Sequence, residues 1–272
     1  MAFEQQKQEL IKICKNVLEE GKAKVIIGYT SSEPDIACTP FFMRTAEDVD
    51  KLKWDSTCTP NLAKYLLEKK ENVAIIAKAC DARAIAMYMV ENQIKRENVF
   101  IIGVECEGML DSEGNPSPGC GECTLRTPPI YDVLVKADGL EQPVQAAEEA
   151  RKNKKVVEDK LARFQKEMEK CILCYTCRQA CYGCYCDTCF MERGIPDWLP
   201  SSVDMGTKMF FHLGRAMHLA GRCVDCGACE RACPSGVNIR YLVRELNDFC
   251  EELYGYVPGA DPDVKQAMLD FN

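Results

Sequence analysis

Histidine is almost missing from this sequence, which has His212 and His218 and no other. Both fall in one helical stretch, too few for an imidazole metal site and in no Ser/His/Asp constellation, so they read as structural. Long apolar runs are also lacking, and none approaches the ~20 residues that a membrane span needs. Positive charge is in deficit, since 34 Lys and Arg against 42 Asp and Glu leave −8 at pH 7. Binding nucleic acid requires a basic face to neutralise phosphates, so that class is excluded. There is no phosphate-binding loop, and no G-x-G-x-x-G follows a strand. The opening "MAFEQQKQELIKICKN" is charged and helical in pattern, unlike a secretory leader, and the expectation is a cytoplasmic protein.

Cysteine is what the sequence has in excess, 19 in 272 residues. A secreted disulfide framework fits badly with a long chain, an odd count and no export signal. In a reducing compartment, clustered cysteines point to metal. Between Lys170 and Phe190, "KCILCYTCRQACYGCYCDTCF" holds seven of them.

The first part of the chain alternates helix and strand. Residues 3–20 put Leu10, Cys14, Val17 and Leu18 on one helical face, with Gly21 as a stop. "KVIIGY" (24–29), "VAIIA" (73–77) and "VFIIGV" (99–104) read as buried strands. "TPNLAKYLLEKK" reads as a helix capped by Thr59 with Pro60 at its first position. "ARAIAMYMVENQ" is a further helix, and 107–130 is loop. Strand, helix, strand, helix, strand implies a small parallel sheet. Charged residues from 146 to 170 form a joining helix, and further helices cover about 203–220 and 238–254. The expected fold is an α/β domain (1–145) with cysteines at the carboxyl edge of its sheet, a linker helix (146–164) and a mainly helical, ferredoxin-like domain (165–272).

Cys171, Cys174 and Cys177 are separated by two residues each, and Cys181 follows after three. Cys223, Cys226, Cys229 and Cys233 repeat the phrase, followed by Pro234. Three cysteines at this spacing let one loop curl over a [4Fe–4S] cubane, and the fourth is aimed at the neighbouring cluster. The expected sets are therefore crossed. Cys171, Cys174, Cys177 and Cys233 hold one cubane, and Cys223, Cys226, Cys229 and Cys181 hold the other. Zinc ribbons use two separated pairs instead. Tyr182 stands where the second phrase has Pro, which is no ligand.

Cys80 lies just beyond the second strand and Cys106 just beyond the third, at the carboxyl edge where open α/β sheets place their sites. Cys120 and Cys123 follow in the loop from that edge, and Cys58 precedes a helix that starts there. Four of these five suit one cubane, with Cys80, Cys106, Cys120 and Cys123 preferred and Cys58 as substitute. The plainer alternative is that Cys80 and Cys106 are buried thiols. Lys78 and Arg83 flank Cys80 and suit offsetting cluster charge. Cys14 and Cys250 read as core, and Cys38 is undecided. Cys184, Cys186 and Cys189 suit a further centre, a cubane or zinc, with Cys58 as the missing ligand and Cys38 or Cys250 behind it. The cluster count is thus at least two, three with the first-domain set, and four if these last cysteines bind one.

"KVIIGY", "STCTPNLAKYL", "AKACDARAIAMYMVENQIKRENVFIIGVECEG", "CGECTLRTPPIYDVLV", "KCILCYTCRQACYGCYCDTC" and "GRAMHLAGRCVDCGACERACP" together resemble the beta-subunit-like iron–sulfur proteins related to coenzyme F420-reducing hydrogenase and formate dehydrogenase. The resemblance covers most of the chain. It implies a cubane in the α/β domain at Cys80, Cys106, Cys120 and Cys123. It also implies electron transfer between hydrogenase-, formate dehydrogenase- or heterodisulfide reductase-like partner subunits. Members with a flavin exchange electrons with a deazaflavin or similar hydride carrier. Here the α/β part is short and lacks a dinucleotide fingerprint, which speaks against FAD. The expectation is a non-catalytic electron-transfer subunit from an anaerobe. The alternatives are a flavin-containing beta subunit reducing F420 or a similar carrier, and a zinc-stabilised interaction module.

Overall fold

Apolar, β-branched runs form the parallel centre of a five-stranded sheet. In the computed structural model, which describes residues 2–31, 38–68, 72–140, 159–192 and 202–264, the strands are β1 (Val25–Thr30), β2 (Thr39–Met43), β3 (Val73–Ala77), β4 (Val99–Val104) and β5 (Val133–Val135). Their order is β2-β1-β3-β4-β5. Only β2 runs antiparallel, pairing Met43 with Ile26 of β1. Every residue of the central β3 is buried, as expected for a strand covered on both faces.

The three strands read from the sequence are present, and two more flank them. β2 contains Pro40, which an edge strand tolerates because its free side needs no amide donor. β5 is only three residues long and lies within a loop rich in proline. The helix expected from Thr59 is instead a 3₁₀ turn, Leu62–Leu66. Its cap is Asn61, whose side chain accepts from the Ala63 amide at 3.1 Å, so Pro60 lies ahead of the turn.

Helix α1 (Ala2–Glu19) buries Leu10, Cys14 and Val17. Gln6 on the same helix is buried because it is fully used: its Nε2 donates to the Glu105 carbonyl at 2.8 Å, and its Oε1 accepts from Trp54 Nε1 at 2.9 Å. A short helix α2 (Ala46–Val49) follows β2 with a Thr45/Asp48 capping box. Helix α3 (Ala79–Val90) joins β3 to the parallel β4 and is buried nearly all round. A helix apolar on every side must be enclosed.

What encloses it is the second half of the chain. This half comprises α4 (Lys160–Lys170), α5 (Thr176–Gln179), α6 (Met205–Leu219), α7 (Ala228–Arg231) and α8 (Arg240–Tyr254). Of the joining helix expected over 146–170, only α4 falls within the described residues, and 146–158 lie outside them. Phe164 and Met168 of α4 pack with Phe211 of α6, Val237 and Ile239. From α3, Arg83 donates through Nε and Nη2 to the Pro258 carbonyl and through Nη1 to that of Val224. Tyr88 donates its hydroxyl to the Tyr182 carbonyl at 2.7 Å. Tyr88→Phe leaves that acceptor buried without its donor. We expect a loss of about 1–2 kcal/mol, read as a lower urea midpoint with an unchanged slope.

Candidate metal centres

Each of the two cysteine phrases is folded by the same backbone device. In the first, Leu173 and Tyr175 take positive φ of 53° and 59°; in the second, Asp225 and Gly227 take 57° and 74°. These are the second and fourth residues after Cys171 and after Cys223. The Leu173 amide turns onto Cys171 Sγ at 3.4 Å, and the Asp225 amide onto Cys223 Sγ at the same distance. The short helices α5 and α7 then start, carrying Cys177 and Cys229. Three non-glycine residues in the left-handed region cost of order 1–3 kcal/mol each and persist only where the surroundings enforce them.

The fourth cysteine of each phrase crosses over. One cavity is lined by Cys171, Cys174, Cys177 and Cys233. A second is lined by Cys181, Cys223, Cys226 and Cys229. The matching four-cysteine sets are what a pair of like prosthetic groups would require.

At the carboxyl edge of the sheet, Cys80 stands in the first turn of α3 and Cys106 just beyond β4. With Cys120 and Cys123 they line a third cavity of about 640 Å³, whose far wall is Val224 to Cys226. Cys226 thus borders two cavities. Lys78, also in this lining, is almost fully buried and pairs with Asp81 at 2.9 Å. Its ammonium also meets the Tyr29 hydroxyl.

Cys184, Cys186 and Cys189 line the fourth cavity, the roomiest at about 1230 Å³, together with Arg178, Arg215 and Arg222. Its lining contains no fourth cysteine. The structure does not bring Cys58 here, nor to the cavity at the sheet edge. Cys58 is buried with its Sγ 2.9 Å from that of Cys38. Cys250 is buried in α8 and Cys14 in α1.

Burial makes several of these thiols reluctant to ionise by themselves. It pushes Cys226 up to about 12, and Cys106 and Cys177 up to about 11. Two go the other way: Cys174 is lowered by hydrogen bonds from the Thr176 hydroxyl and amide, and Cys181 is lowered first by the hydrogen bond from Cys184 and then by the Arg215 charge, against its own desolvation. A bound metal cation reverses the burial effect by supplying the opposite charge.

Two residues of α6 that the sequence reading left out or treated as structural stand at these cavities. Arg215 is 3% exposed and lines both the Cys181 and the Cys184 cavities. Its Nη2 donates to the Cys177 carbonyl at 3.1 Å, while Nε and Nη1 have no hydrogen-bond partner. Leaving buried donors unmatched costs roughly 1–3 kcal/mol each, and cluster sulfurs would accept from them. His212 places Nε2 3.2 Å from Cys171 Sγ, and burial, then the Arg215 charge, lowers its pKa to about 3. No motif in the sequence marks them, and only their place on the helix between the two cysteine phrases brings them to these cavities. The donor set, its burial and the orphaned guanidinium all fit iron–sulfur groups.

No family model matches the chain. It is similar to the F420-dependent formate dehydrogenase subunit beta of Methanocaldococcus jannaschii, with 24% identity covering 82% of this chain and 83% of that protein. The alignment runs over 321 positions, more than the 272 residues here, so the relative carries segments without a counterpart. Among the described residues no helix is long and apolar enough to cross a membrane.

The seam between the halves yields a direct test. A Cβ on Gly227 would lie 1.8 Å from the Pro118 carbonyl oxygen, and its φ of 74° adds strain. That oxygen belongs to the loop carrying Cys120 and already accepts from Arg231 at 2.8 Å. Gly227→Ala should destabilise by more than the ~1–2 kcal/mol of the left-handed backbone alone. It should also lower whatever metal the two adjoining cavities retain, measured by metal analysis beside thermal unfolding.

Proposed function

We propose that this chain is an electron-transfer iron–sulfur subunit of a multi-subunit oxidoreductase, related to the beta subunits of F420-linked formate dehydrogenases and hydrogenases. One observation carries the reading: four cysteine-lined cavities adjoin one another through shared walls. Cys226 separates the sheet-edge cavity from the Cys181 cavity, Arg215 joins the latter to the Cys184 cavity, and Phe211 lies between the Cys184 and Cys171 cavities. Cubanes held there would each take up and release one electron at a time.

The chain's own residues do the rest. Thiolates hold iron, and the Arg215 and Lys78 charges offset the negative centres and raise their potentials. The α/β part (1–145) carries one centre at its sheet edge, and a ferredoxin-like part (165–272) carries the crossed pair. Cys184, Cys186 and Cys189 would hold a fourth centre whose remaining ligand is not a cysteine of this chain. Phe210, Leu213 and Met217 form an exposed apolar stripe on α6 beside that cavity, the kind of surface a partner subunit covers. The redox partners would be hydrogenase-, formate dehydrogenase- or heterodisulfide reductase-like modules in the cytoplasm of an anaerobe.

The named activity of the relative favours a second reading, a flavin-containing beta subunit that reduces F420 or a similar carrier. The two separate cleanly. Protein prepared without air should take electrons from reduced viologen and pass them to a one-electron acceptor, with no yellow cofactor released on denaturation. A released flavin supports the second reading, and failure to accept electrons contradicts the first.

The crossed arrangement predicts where single losses fall. Cys233→Ala should disturb the centre at Cys171, Cys174 and Cys177, and Cys181→Ala the one at Cys223, Cys226 and Cys229. Redox-titrated paramagnetic resonance would show opposite components altered. Arg215→Met should lower the potential of the Cys181-side centre.

A further inference from the structure

Fifteen cysteines line the cavities, Cys226 bordering two of them, and Cys14 and Cys250 are buried on helices. Of the nineteen, that leaves Cys38 and Cys58, and they are together. Both are buried, at 3% and 0% exposure. Asp55 completes a triad whose ligand atoms all lie within 4.8 Å of one another. Asp55 Oδ1 is 3.7 Å from Cys38 Sγ and 4.0 Å from Cys58 Sγ.

We propose that Cys38, Cys58 and Asp55 form a mononuclear site for a thiophilic divalent cation, zinc being the one it suits best. Tetrahedral zinc with S and O ligands sets sulfur–sulfur spans of about 3.8 Å and sulfur–oxygen spans of about 3.5 Å. The two sulfur–oxygen spans are within about 0.5 Å of that. The sulfurs, 2.9 Å apart, must open by about 0.9 Å, which replaces a contact already shorter than two sulfurs comfortably allow. Binding releases the two thiol protons to solvent and leaves two thiolates and a carboxylate on the metal.

The surroundings are those of a held ligand set. The Thr57 amide and hydroxyl donate to Asp55 Oδ1 at 2.8 and 2.6 Å, fixing the carboxylate, and Lys53 pairs with Oδ2 at 3.4 Å. The Asp55 amide donates to Cys58 Sγ at 3.5 Å. Solvent, which reaches the Asp55 side chain, supplies the fourth position, and the Thr57 hydroxyl also lies 3.2 Å from Cys38 Sγ as an outer partner. Such outer partners orient ligands as they do in known metal sites.

The site has a structural consequence. Cys38 precedes β2, and Asp55 and Cys58 belong to the loop that continues into Thr59 and Pro60. The Pro60 carbonyl accepts from Tyr29 and Lys78, and that of Thr59 accepts from Arg231. Thr59 and Lys78 line the sheet-edge cavity. The cation therefore fastens this loop to the edge strand and braces one wall of the cavity.

The test counts zinc, which separates it from the iron–sulfur reading. Full-length protein made without air and exchanged into chelator-free buffer with stoichiometric zinc should hold one zinc per chain that Cys186→Ser retains. Cys38→Ser and Cys58→Ser should lose it while keeping their iron. Asp55→Asn, with both thiols intact, should bind zinc at least about tenfold more weakly. Absence of zinc from the wild type, zinc retained by both serine variants, or a Cys38–Cys58 disulfide in peptide maps would each overturn the proposal.

Discussion

Sulfur buried between two backbone phrases that complete each other's cavities is the constraint on which the second half of this protein depends. Neither phrase supplies four cysteines to its own cavity, so neither can close without the other. The left-handed turns at Leu173, Tyr175 and Asp225 make sense only in that arrangement. Helix α6 spans the interval and sends His212 and Arg215 inward at the two cavities. Local strain, buried thiols that resist ionising and unmatched guanidinium donors all have one remedy, a positively charged metal core with sulfur acceptors.

The same logic reaches the first half through charge. The protein is acidic overall, yet several of its cations are buried beside thiols. Arg240 pairs with Glu230, Asp225 and Glu122, and Arg244 with Glu122. Glu122 lies between Cys120 and Cys123, and Asp225 between Cys223 and Cys226. This network therefore ties the sheet-edge cysteine loop to the second phrase. Half-buried pairs of this kind contribute little net stability but penalise mispaired alternatives, because a charge left unmatched away from water is costly. Arg83, reaching the Val224 and Pro258 carbonyls from α3, adds a mechanical clasp at the same seam.

Much of this was legible from sequence because periodicity and spacing carry it. "VAIIA" and "VFIIGV" could hardly be anything but buried strands, and Cys80 and Cys106 follow from where those strands end. The cysteine sets of the cavities at the two phrases follow from their spacing. What failed to show were features that depend on tertiary context. β5 is too short to announce itself, and β2, though as long as β3, carries Pro40 and is buried only at Met43. Thr59-Pro60 imitates a helix start, but Asn61 caps a 3₁₀ turn because its amide also donates to the Cys80 carbonyl. Cys58 was expected at a cluster since it precedes that turn, whereas the chain folds it against Cys38, a residue twenty positions away. Arg215 and His212 carry no motif, and only the packing of α6 between the phrases reveals them.

The central claim is that these thiols hold iron and inorganic sulfide. Counting both per chain, in protein isolated and kept without air, tests it most directly. The account predicts about sixteen of each, or about twelve if the Cys184 cavity holds no cubane, at four irons per cluster. Intact, folded protein containing neither element would contradict it.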